Sequence, residues 1–257
     1  MYCQRLPYQV ISICVDNLWR RTGRSRDDRG RIATLEVGGV QAEHMLVAFD
    51  FDGTLSDSEM TVLLGARQGV AEEMEDITSR AMNDEISYAE SLRNRAALLE
   101  GLPESKATEA FEEVELRPGA ADVIHAIEDA GHTTAILTGG FTDGVQAALD
   151  HEDVSVDHLV ANDLPVADGA LTGEVTGPLI EGTKDDALAA LADDLNIPLE
   201  ETVAVGDGAN DLPMLDVAGL SIGFQPKSAV RPHCDVSVST MDELQTLLGD
   251  HGVLANS

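Results

Sequence analysis

Three short apolar runs constrain the fold of this 257-residue chain more than any other feature. They cover residues 46–49, 134–137 and 202–205, and each leads through a turn rich in Gly and Asp into a stretch of helical character. Runs of this length suit buried strands, and their alternation with helices favours a parallel sheet covered on both faces. We therefore predict an α/β protein with a doubly wound parallel sheet. Ligands bind to such sheets beyond the carboxyl ends of the strands.

The stretch between the first two predicted strands carries no strand-like run. Residues 56–115 instead place Glu, Ala, Arg and Leu at helical spacing. We predict that they form a helical cap subdomain, a lid inserted into a core of residues 45–55 and 116–257. Within that core, a short antiparallel hairpin is predicted over residues 164–175, with its turn at Asp168-Gly169.

Residues 1–44 differ in composition from the remainder. They hold seven of the thirteen arginines and five acidic residues, so their net charge is +2. Six of these arginines fall within residues 20–31 beside Gly, Ser and Asp, which favours disorder. One interpretation is a basic tail that binds a partner. The other, which we favour, is a mis-assigned start of translation, with Met45 as the true first residue.

The whole chain is strongly acidic. Forty-seven acidic residues face sixteen basic ones, of which only three are lysine, and the net charge is −31. A field of this sign repels nucleic acid and anionic membranes, so neither is expected as a partner. No apolar run approaches the ~20 residues that span a bilayer, and a cytoplasmic location is expected. Molar salt shortens the Debye length to ~3 Å and screens the self-repulsion, so the composition favours a halophilic protein. Whether the chain forms a homodimer stays open.

Asp50 and Asp52 stand directly after the first predicted strand and are followed by Gly53-Thr54-Leu55. Two carboxylates in one tight loop can face the same cavity. One can attack phosphorus, while the other protonates the leaving oxygen and later activates water. These roles need different environments, because one carboxylate must be ionised when the other carries a proton.

This first motif, residues 50–55, resembles that of the haloacid dehalogenase superfamily of phosphatases, and three later segments resemble its other motifs in the expected order. In residues 136–141, Thr138 and Gly139 would hold phosphate oxygens by hydroxyl and backbone N–H. Lys184 would neutralise nucleophile and phosphate, and it stands out because lysine is so rare in the chain.

The fourth motif covers residues 205–211. The resemblance implies that Asp207 binds Mg²⁺ together with the Asp50 carboxylate and the Asp52 backbone carbonyl, since Mg²⁺ keeps few protein ligands and fills its shell with water and phosphate. Asp211 would support this shell, and Asn210 would contact or orient a ligand. A merely acidic hairpin is the disfavoured alternative.

Within the superfamily, residues 45–250 are similar to the phosphoserine phosphatases, which carry out the last step of serine biosynthesis. The similarity rests on residues 57–59, 91–95, 139–141 and 206–211. It implies a small phosphomonoester, O-phosphoserine, as the substrate and an aspartyl-phosphate intermediate on Asp50.

Four residues of the cap are expected to select this substrate. Glu59 would hold its ammonium group, Arg95 would meet its carboxylate bidentately, and Met82 with Tyr88 would wall the pocket. An alternative interpretation makes Glu59 an acid favoured at a helix N-terminus and Arg95 a surface charge. The scarcity of arginine after residue 45 favours the functional interpretation.

Three departures from the family pattern bear on the substrate. Thr138 replaces the usual Ser, Tyr88 replaces the usual Phe, and residues 225–227 differ, although none of these is expected to touch the catalytic machinery. Rival functions are a phosphatase or phosphotransferase for another small metabolite, and a binding module on the same fold. The presence of Asp50 and Lys184 argues against the last of these.

Overall fold

The computed structural model describes residues 44–82 and 85–255, so all but the last residue of the predicted N-terminal extension lie outside the described residues. The strands are β1 (Leu46–Phe49), β2 (Thr133–Phe141), β3 (His158–Asn162), β4 (Val166–Ala167), β5 (Ala170–Leu171), β6 (Thr202–Gly206), β7 (Leu220–Phe224) and β8 (Val236–Val238). The α-helices are α1 (Met60–Gln68), α2 (Ala71–Met82), α3 (Tyr88–Ala97), α4 (Glu104–Phe111), α5 (Ala120–Asp129), α6 (Thr142–His151), α7 (Lys184–Leu195), α8 (Leu212–Val217) and α9 (Met241–Asp250). None of the helices in these ranges is long and apolar enough to cross a membrane.

Six parallel strands form the main sheet in the order β3-β2-β1-β6-β7-β8, which confirms the predicted doubly wound α/β fold. The three strands predicted from the sequence are its central neighbours. In their register Phe49 lies opposite both Ile136 and Val205, so the chain leaves all three strands at the same edge of the sheet. The segments after these strands are therefore brought together by topology.

The second strand is longer than the sequence predicted. It was expected to end near Leu137 in a glycine-rich turn, but β2 continues through Thr138 to Phe141 and runs directly into α6. The register against β3 shifts between Leu137 and Phe141, so the last part of the strand is irregular. Gly139 and Gly140 suggested a turn. Glycine is required at these positions because neighbouring side chains approach the strand closely.

Both faces of the sheet are buried, as its parallel strands require. Alternate side chains such as Val47 and Phe49 pack with α5, α6 and α9, and the intervening ones pack with α7 and α8. On the second face Ala48 lies between Ala135 and Ala204 in register, and a row of such small residues lets the helices approach the sheet closely.

The described part of residues 56–115 forms the four helices α1–α4 and no strand. Helix α1 packs on α2 and α4, α2 packs on α3, and α4 packs on α6 of the core. Ser87 caps the N-terminus of helix α3, because its hydroxyl accepts a hydrogen bond from the Glu90 N–H at 3.1 Å. Packing on α6 fixes this helical insertion over one end of the sheet.

The predicted hairpin is present as β4 and β5, which pair antiparallel around Asp168-Gly169. Both turn residues have positive φ, 52° and 78°, as the two central positions of a type I′ turn require. Backbone hydrogen bonds of 2.9 Å join Leu171 to Gly101 and Leu102, in the connection between α3 and α4. The hairpin therefore braces the helical insertion against the core.

Packing of the C-terminal helix gives a test of the fold. Leu244 of α9 is fully buried, whereas Leu247 on the same helix is only partly buried. Leu244→Ala should lower the free energy of unfolding by about 2–5 kcal/mol, because it removes buried methyl groups and leaves a cavity. Leu247→Ala should cost clearly less in the same denaturant titration. Equal losses for both variants would contradict the placement of α9.

Candidate active site

The residues singled out from the four sequence motifs converge at the carboxyl edge of the sheet. Asp50 follows β1 directly, and its N–H donates to the Val205 carbonyl of β6 at 2.8 Å. Asp207 follows β6, and Thr138 lies near the end of β2. Asp50, Asp207 and Thr138 are all buried. Residues far apart in sequence thus form one site.

A buried ammonium group lies at the centre of this site. Lys184 is the first residue of α7 and is only 2% exposed. Its Nζ donates to Asp50 Oδ1 and to Asp211 Oδ1, both at 2.6 Å. Two short charge-assisted hydrogen bonds hold the three side chains in one arrangement.

Asp211 serves the geometry of the fourth motif. Its Oδ2 accepts the N–H groups of Asp207 and Gly208 at 3.0 and 2.8 Å, and its Oδ1 accepts the Asn210 amide at 3.2 Å as well as Lys184. Both of its oxygens are therefore engaged within the protein. Asp211 therefore holds the backbone of this loop, and the Asn210 amide lies beside its carboxylate.

The first and fourth motifs touch each other at Gly53. This residue has φ of +89°, in the left-handed region, and a side-chain carbon added to it would lie 2.8 Å from the Asp207 carboxylate. Only glycine combines this backbone conformation with so close an approach. The loop after Asp50 can therefore lie directly against Asp207.

Asp52 lies near Asp50 but in a different environment. Its Oδ1 accepts the N–H of Met60, the first residue of α1, at 3.4 Å. Desolvation raises the pKa of Asp52 well above its ordinary value, and the nearby carboxylates of Glu59 and Asp50 raise it further. This upward shift favours the protonated form of Asp52, the form that a general acid uses.

Burial and neighbouring charges together shift the pKa values of Asp50 and Lys184. Burial, followed by the neighbouring Asp211, raises the pKa of Asp50 from 3.8 to about 7, although Lys184 acts in the opposite direction. Burial alone would lower the pKa of Lys184, but the two carboxylates outweigh it, so this pKa is raised. Lys184 therefore stays charged, and in the metal-free site Asp50 titrates near neutrality.

The donor atoms of the site suit a hard divalent cation. Asp50, Asp207 and Asp211 are buried and offer carboxylate oxygens that lie within 4.8 Å of one another. All three are oxygen ligands, which Mg²⁺ and Ca²⁺ prefer. Since Asp211 is engaged by Lys184 and backbone N–H groups, Asp50 and Asp207 are the carboxylates best placed to bind a metal ion. The Asp52 carboxylate does not belong to this group of three.

The second motif forms a tightly packed wall. Thr138 Oγ1 accepts the Gly140 N–H at 2.9 Å. A side-chain carbon added at Gly140 would lie 2.7 Å from Asp52 Oδ2, and one added at Gly139 would overlap the Tyr88 hydroxyl. Thr138 and Gly140 thus lie beside Asp52, and Gly139 lies against Tyr88.

Asn162, which sequence reasoning missed, supports this wall from behind. It is fully buried at the end of β3, donates to the Gly139 carbonyl at 3.1 Å and accepts the Leu179 N–H at 3.0 Å. Its position in an apolar strand was a possible signal, because a buried amide requires partners.

The predicted substrate-selecting residues come from the helical insertion. Tyr88 lies against Gly139, and burial raises its pKa to about 12. Glu59 precedes α1 at the mouth of the site; much of the residue is exposed, but desolvation of its carboxyl raises its pKa, with Lys227 and Arg95 acting in the opposite direction. The side chain of Met82 lies outside the described residues.

Arg95 has its own fixed position within the insertion. Its Nη1 donates to Thr61 Oγ1 at 3.0 Å, and its Nε donates to the Ser91 carbonyl at 3.4 Å. Its neighbour Arg93 instead pairs with Glu181 at the surface. The two arginines of this helix are therefore in different environments.

One expectation about the site was wrong. The departures from the family pattern were expected to leave the catalytic machinery untouched, but Lys227 Nζ lies 3.0 Å from Asp207 Oδ2. No sequence pattern indicated this contact, because β7 separates the two residues in the chain. Tyr88, another departure, also reaches the site.

Arg117 is a second supporting residue that the sequence did not reveal. Its guanidinium donates to the carbonyls of Thr54 and Gly53 at 3.1 and 3.2 Å and lies 5.3 Å from the centre of the Phe224 ring. It therefore holds the loop after Asp50 from outside the site.

The raised pKa of Asp50 predicts how the stability of the metal-free protein depends on pH. Between about pH 4 and 7 the folded state binds this proton while the unfolded state has lost it, so the free energy of unfolding falls as the pH rises. In EDTA and high KCl, the melting temperature should fall more steeply over this range for the natural sequence than for Asp50→Asn. Parallel curves would contradict the burial of an ionisable Asp50.

Comparison with known proteins agrees with this geometry. Residues 47–216 match the model of the HAD family, described as haloacid dehalogenase-like hydrolase. The phosphoserine phosphatase of Halobacterium salinarum is 54% identical over 208 residues, which cover 81% of this chain and 99% of that protein.

Solved structures show the same similarity. A phospho-aspartyl intermediate analogue of phosphoserine phosphatase matches with a TM-score of 0.73 and 36% identity, covering 79% of this chain and 97% of the other. A substrate-bound phosphoserine phosphatase complex matches with a TM-score of 0.74 and 35% identity, covering 80% and 97%. The chain therefore belongs to the haloacid dehalogenase-like hydrolases and, among them, is related to the phosphoserine phosphatases.

Proposed function

We propose that the protein hydrolyses O-phosphoserine to serine and phosphate, with Mg²⁺ as its metal ion. The observation that carries the proposal is the buried Lys184 ammonium between Asp50 and Asp211, with Asp207 alongside at the strand ends. Phosphoryl transfer asks a protein mainly for positioning and for neutralisation of charge, and this arrangement supplies both. The related phosphoserine phosphatases support the choice of substrate.

In the first step, an oxygen of Asp50 attacks the phosphorus atom. The bond between phosphorus and the serine oxygen breaks, and Asp52 gives its proton to that oxygen as it leaves. Burial raises the pKa of Asp52, which favours the protonated form that this step needs. The products of the step are serine and an aspartyl phosphate on Asp50.

In the second step, Asp52, now ionised, takes a proton from a water molecule. The resulting hydroxide attacks the phosphorus, the bond to Asp50 breaks, and phosphate leaves with Asp50 restored as a carboxylate. Thr138 and the backbone of Gly139 would hold the phosphate oxygens during both steps, and Lys184 would offset the negative charge shared by phosphate and nucleophile.

The residues present fit the proposed metal ion. Asp50, Asp207 and the carbonyl of Asp52 would hold Mg²⁺, and Asp211 would orient Asp207 through its backbone N–H. When bound, the ion supplies positive charge that lowers the pKa of Asp50 and draws charge from the phosphate oxygens. Asp50 would then be ionised, as a nucleophile must be.

Selectivity for phosphoserine would come from the cap. Glu59 would bind the ammonium group and Arg95 the carboxylate, with Tyr88 and Met82 at the wall of the pocket. The arrangement of Arg95 supports this role, because the Thr61 hydroxyl and the Ser91 carbonyl already orient its guanidinium. We also infer a cytoplasmic location from the acid-rich, lysine-poor composition.

Release of phosphate from O-phosphoserine tests the proposed reaction. The protein in Mg²⁺ and high KCl should release phosphate from O-phospho-L-serine in preference to a panel of sugar and polyol phosphates. Asp50→Asn should reduce kcat by about a thousandfold or more, because an amide cannot form the acyl phosphate. EDTA should abolish the activity of the natural sequence, and Mg²⁺ should restore it. Activity on other esters with phosphoserine ignored would reject the substrate.

Substitution of Arg95 tests the proposed pocket for the substrate carboxylate. Arg95→Ala should lower kcat/KM for phosphoserine by about a hundredfold, because the substrate carboxylate would lose a bidentate partner. Arg93→Ala is the matched control, since it removes the same charge from the same helix at an exposed position. Hydrolysis of p-nitrophenyl phosphate, which has no carboxylate, should change little in either variant. Equal effects of both variants on phosphoserine would refute the assignment of Arg95.

A further inference from the structure

Lys227 lies at the mouth of the site and belongs to none of the four motifs. It follows β7, and its Nζ is 3.0 Å from Asp207 Oδ2, with about half of the side chain exposed. It also lies over the backbone of Gly208, where an added side-chain carbon would be 3.4 Å from Nζ. A half-exposed ammonium group therefore contacts a carboxylate that we assign to metal binding.

The chain before Lys227 is shaped to hold it there. Gln225 has φ of 44°, an uncommon conformation for a residue other than glycine. Pro226 is buried, and its ring fills the space beside Gly223. The N–H of Lys227 then donates to the Asp207 carbonyl at 3.0 Å. Backbone and side chain of Lys227 are thus both bound to Asp207, and strain of this kind often marks a functional segment.

The use of lysine in this chain points in the same direction. The sequence contains only three lysines. Lys184 lies inside the aspartate cluster, Lys227 lies at its mouth, and Lys106 forms a pair with Glu109 on the surface of α4. Two of the three lysines in a strongly acidic protein thus contact the same group of carboxylates.

The charges around Lys227 would change when the site binds a metal ion and phosphate. Burial disfavours the charged form of Lys227, but the carboxylates of Asp207, Glu59 and Asp211 outweigh it and favour the ammonium group. A divalent cation on Asp207 would repel the ammonium group and reduce the charge that attracts it. A phosphate dianion bound beside that carboxylate would offer a new anionic partner within reach of the long, flexible side chain.

We propose that Lys227 exchanges partners during binding: it pairs with Asp207 in the metal-free site and turns to the phosphate group once metal ion and phosphate are bound. Lys227 is in this sense a positioning residue for the anion and a competitor of the metal ion. The inference rests on the proposed phosphate chemistry but not on which alcohol carries the phosphate.

The exchange predicts effects of opposite sign on two binding equilibria. Measured by titration calorimetry in high KCl, Lys227→Met should bind Mg²⁺ about two- to fivefold more tightly than the natural sequence, because a competing cation is gone. The same variant, saturated with Mg²⁺, should bind inorganic phosphate about tenfold more weakly, because one charge-assisted hydrogen bond is lost. Lys227→Arg should keep most of the phosphate affinity.

Lys106→Met is a closely matched control. Lys106 is 50% exposed in its side chain and lies 2.6 Å from its carboxylate partner, compared with 49% and 3.0 Å for Lys227. Both variants remove one positive charge from the same acidic protein, so effects of net charge cancel in the comparison. Lys106→Met should leave both affinities unchanged.

Two results would overturn the proposal. Phosphate affinity that is the same in Lys227→Met and Lys106→Met would show that Lys227 never reaches the anion. Unchanged Mg²⁺ affinity in Lys227→Met would show that the pair with Asp207 does not compete with the metal ion. The substrate assignment is tested separately, because protein that binds Mg²⁺ and phosphate but ignores phosphoserine would reject only that assignment.

Discussion

The arrangement of the active site depends on one buried interaction, the contact of the Lys184 ammonium with Asp50 and Asp211. Removing one partner from such a group leaves a buried charge without compensation, which is strongly unfavourable. The interaction also joins the start of α7, the end of β1 and the turn after β6. The same cation neutralises the proposed nucleophile, Asp50. Lys184 therefore serves both the structure of the site and its proposed chemistry.

Around this interaction the protein places several carboxylates, and it offsets part of their negative charge with lysine side chains. Asp50, Asp52 and Asp207 all have raised pKa values, chiefly because they are desolvated. Lys184 offsets this charge from within and Lys227 from the solvent side. Carboxylates gathered in this way attract a divalent cation. This attraction supports the proposed use of Mg²⁺.

Much of the fold and site could be predicted because its signals are local in the sequence. Short apolar runs ending in acidic turns predicted the central strands and the edge at which ligands bind, and the motif residues Asp50, Thr138, Lys184 and Asp207 do meet there. The predicted length of β2 was wrong. Its glycines make room for the neighbouring side chains of Tyr88 and Asp52 and do not form a turn. Local propensity cannot reveal contacts that the chain makes only after folding.

The sequence by itself determined which residues supply the carboxylates, the hydroxyl and the ammonium group. It also determined that the carboxylates and the hydroxyl lie at the ends of buried strands. Only the tertiary structure decided which groups hold them in place, namely Asn162 behind Gly139, Arg117 behind the Asp50 loop and Lys227 on Asp207. The physical reason is that these supports act through single hydrogen bonds and ion pairs between segments distant in the chain. Such contacts leave no periodicity or spacing in a sequence, whereas burial of a strand does.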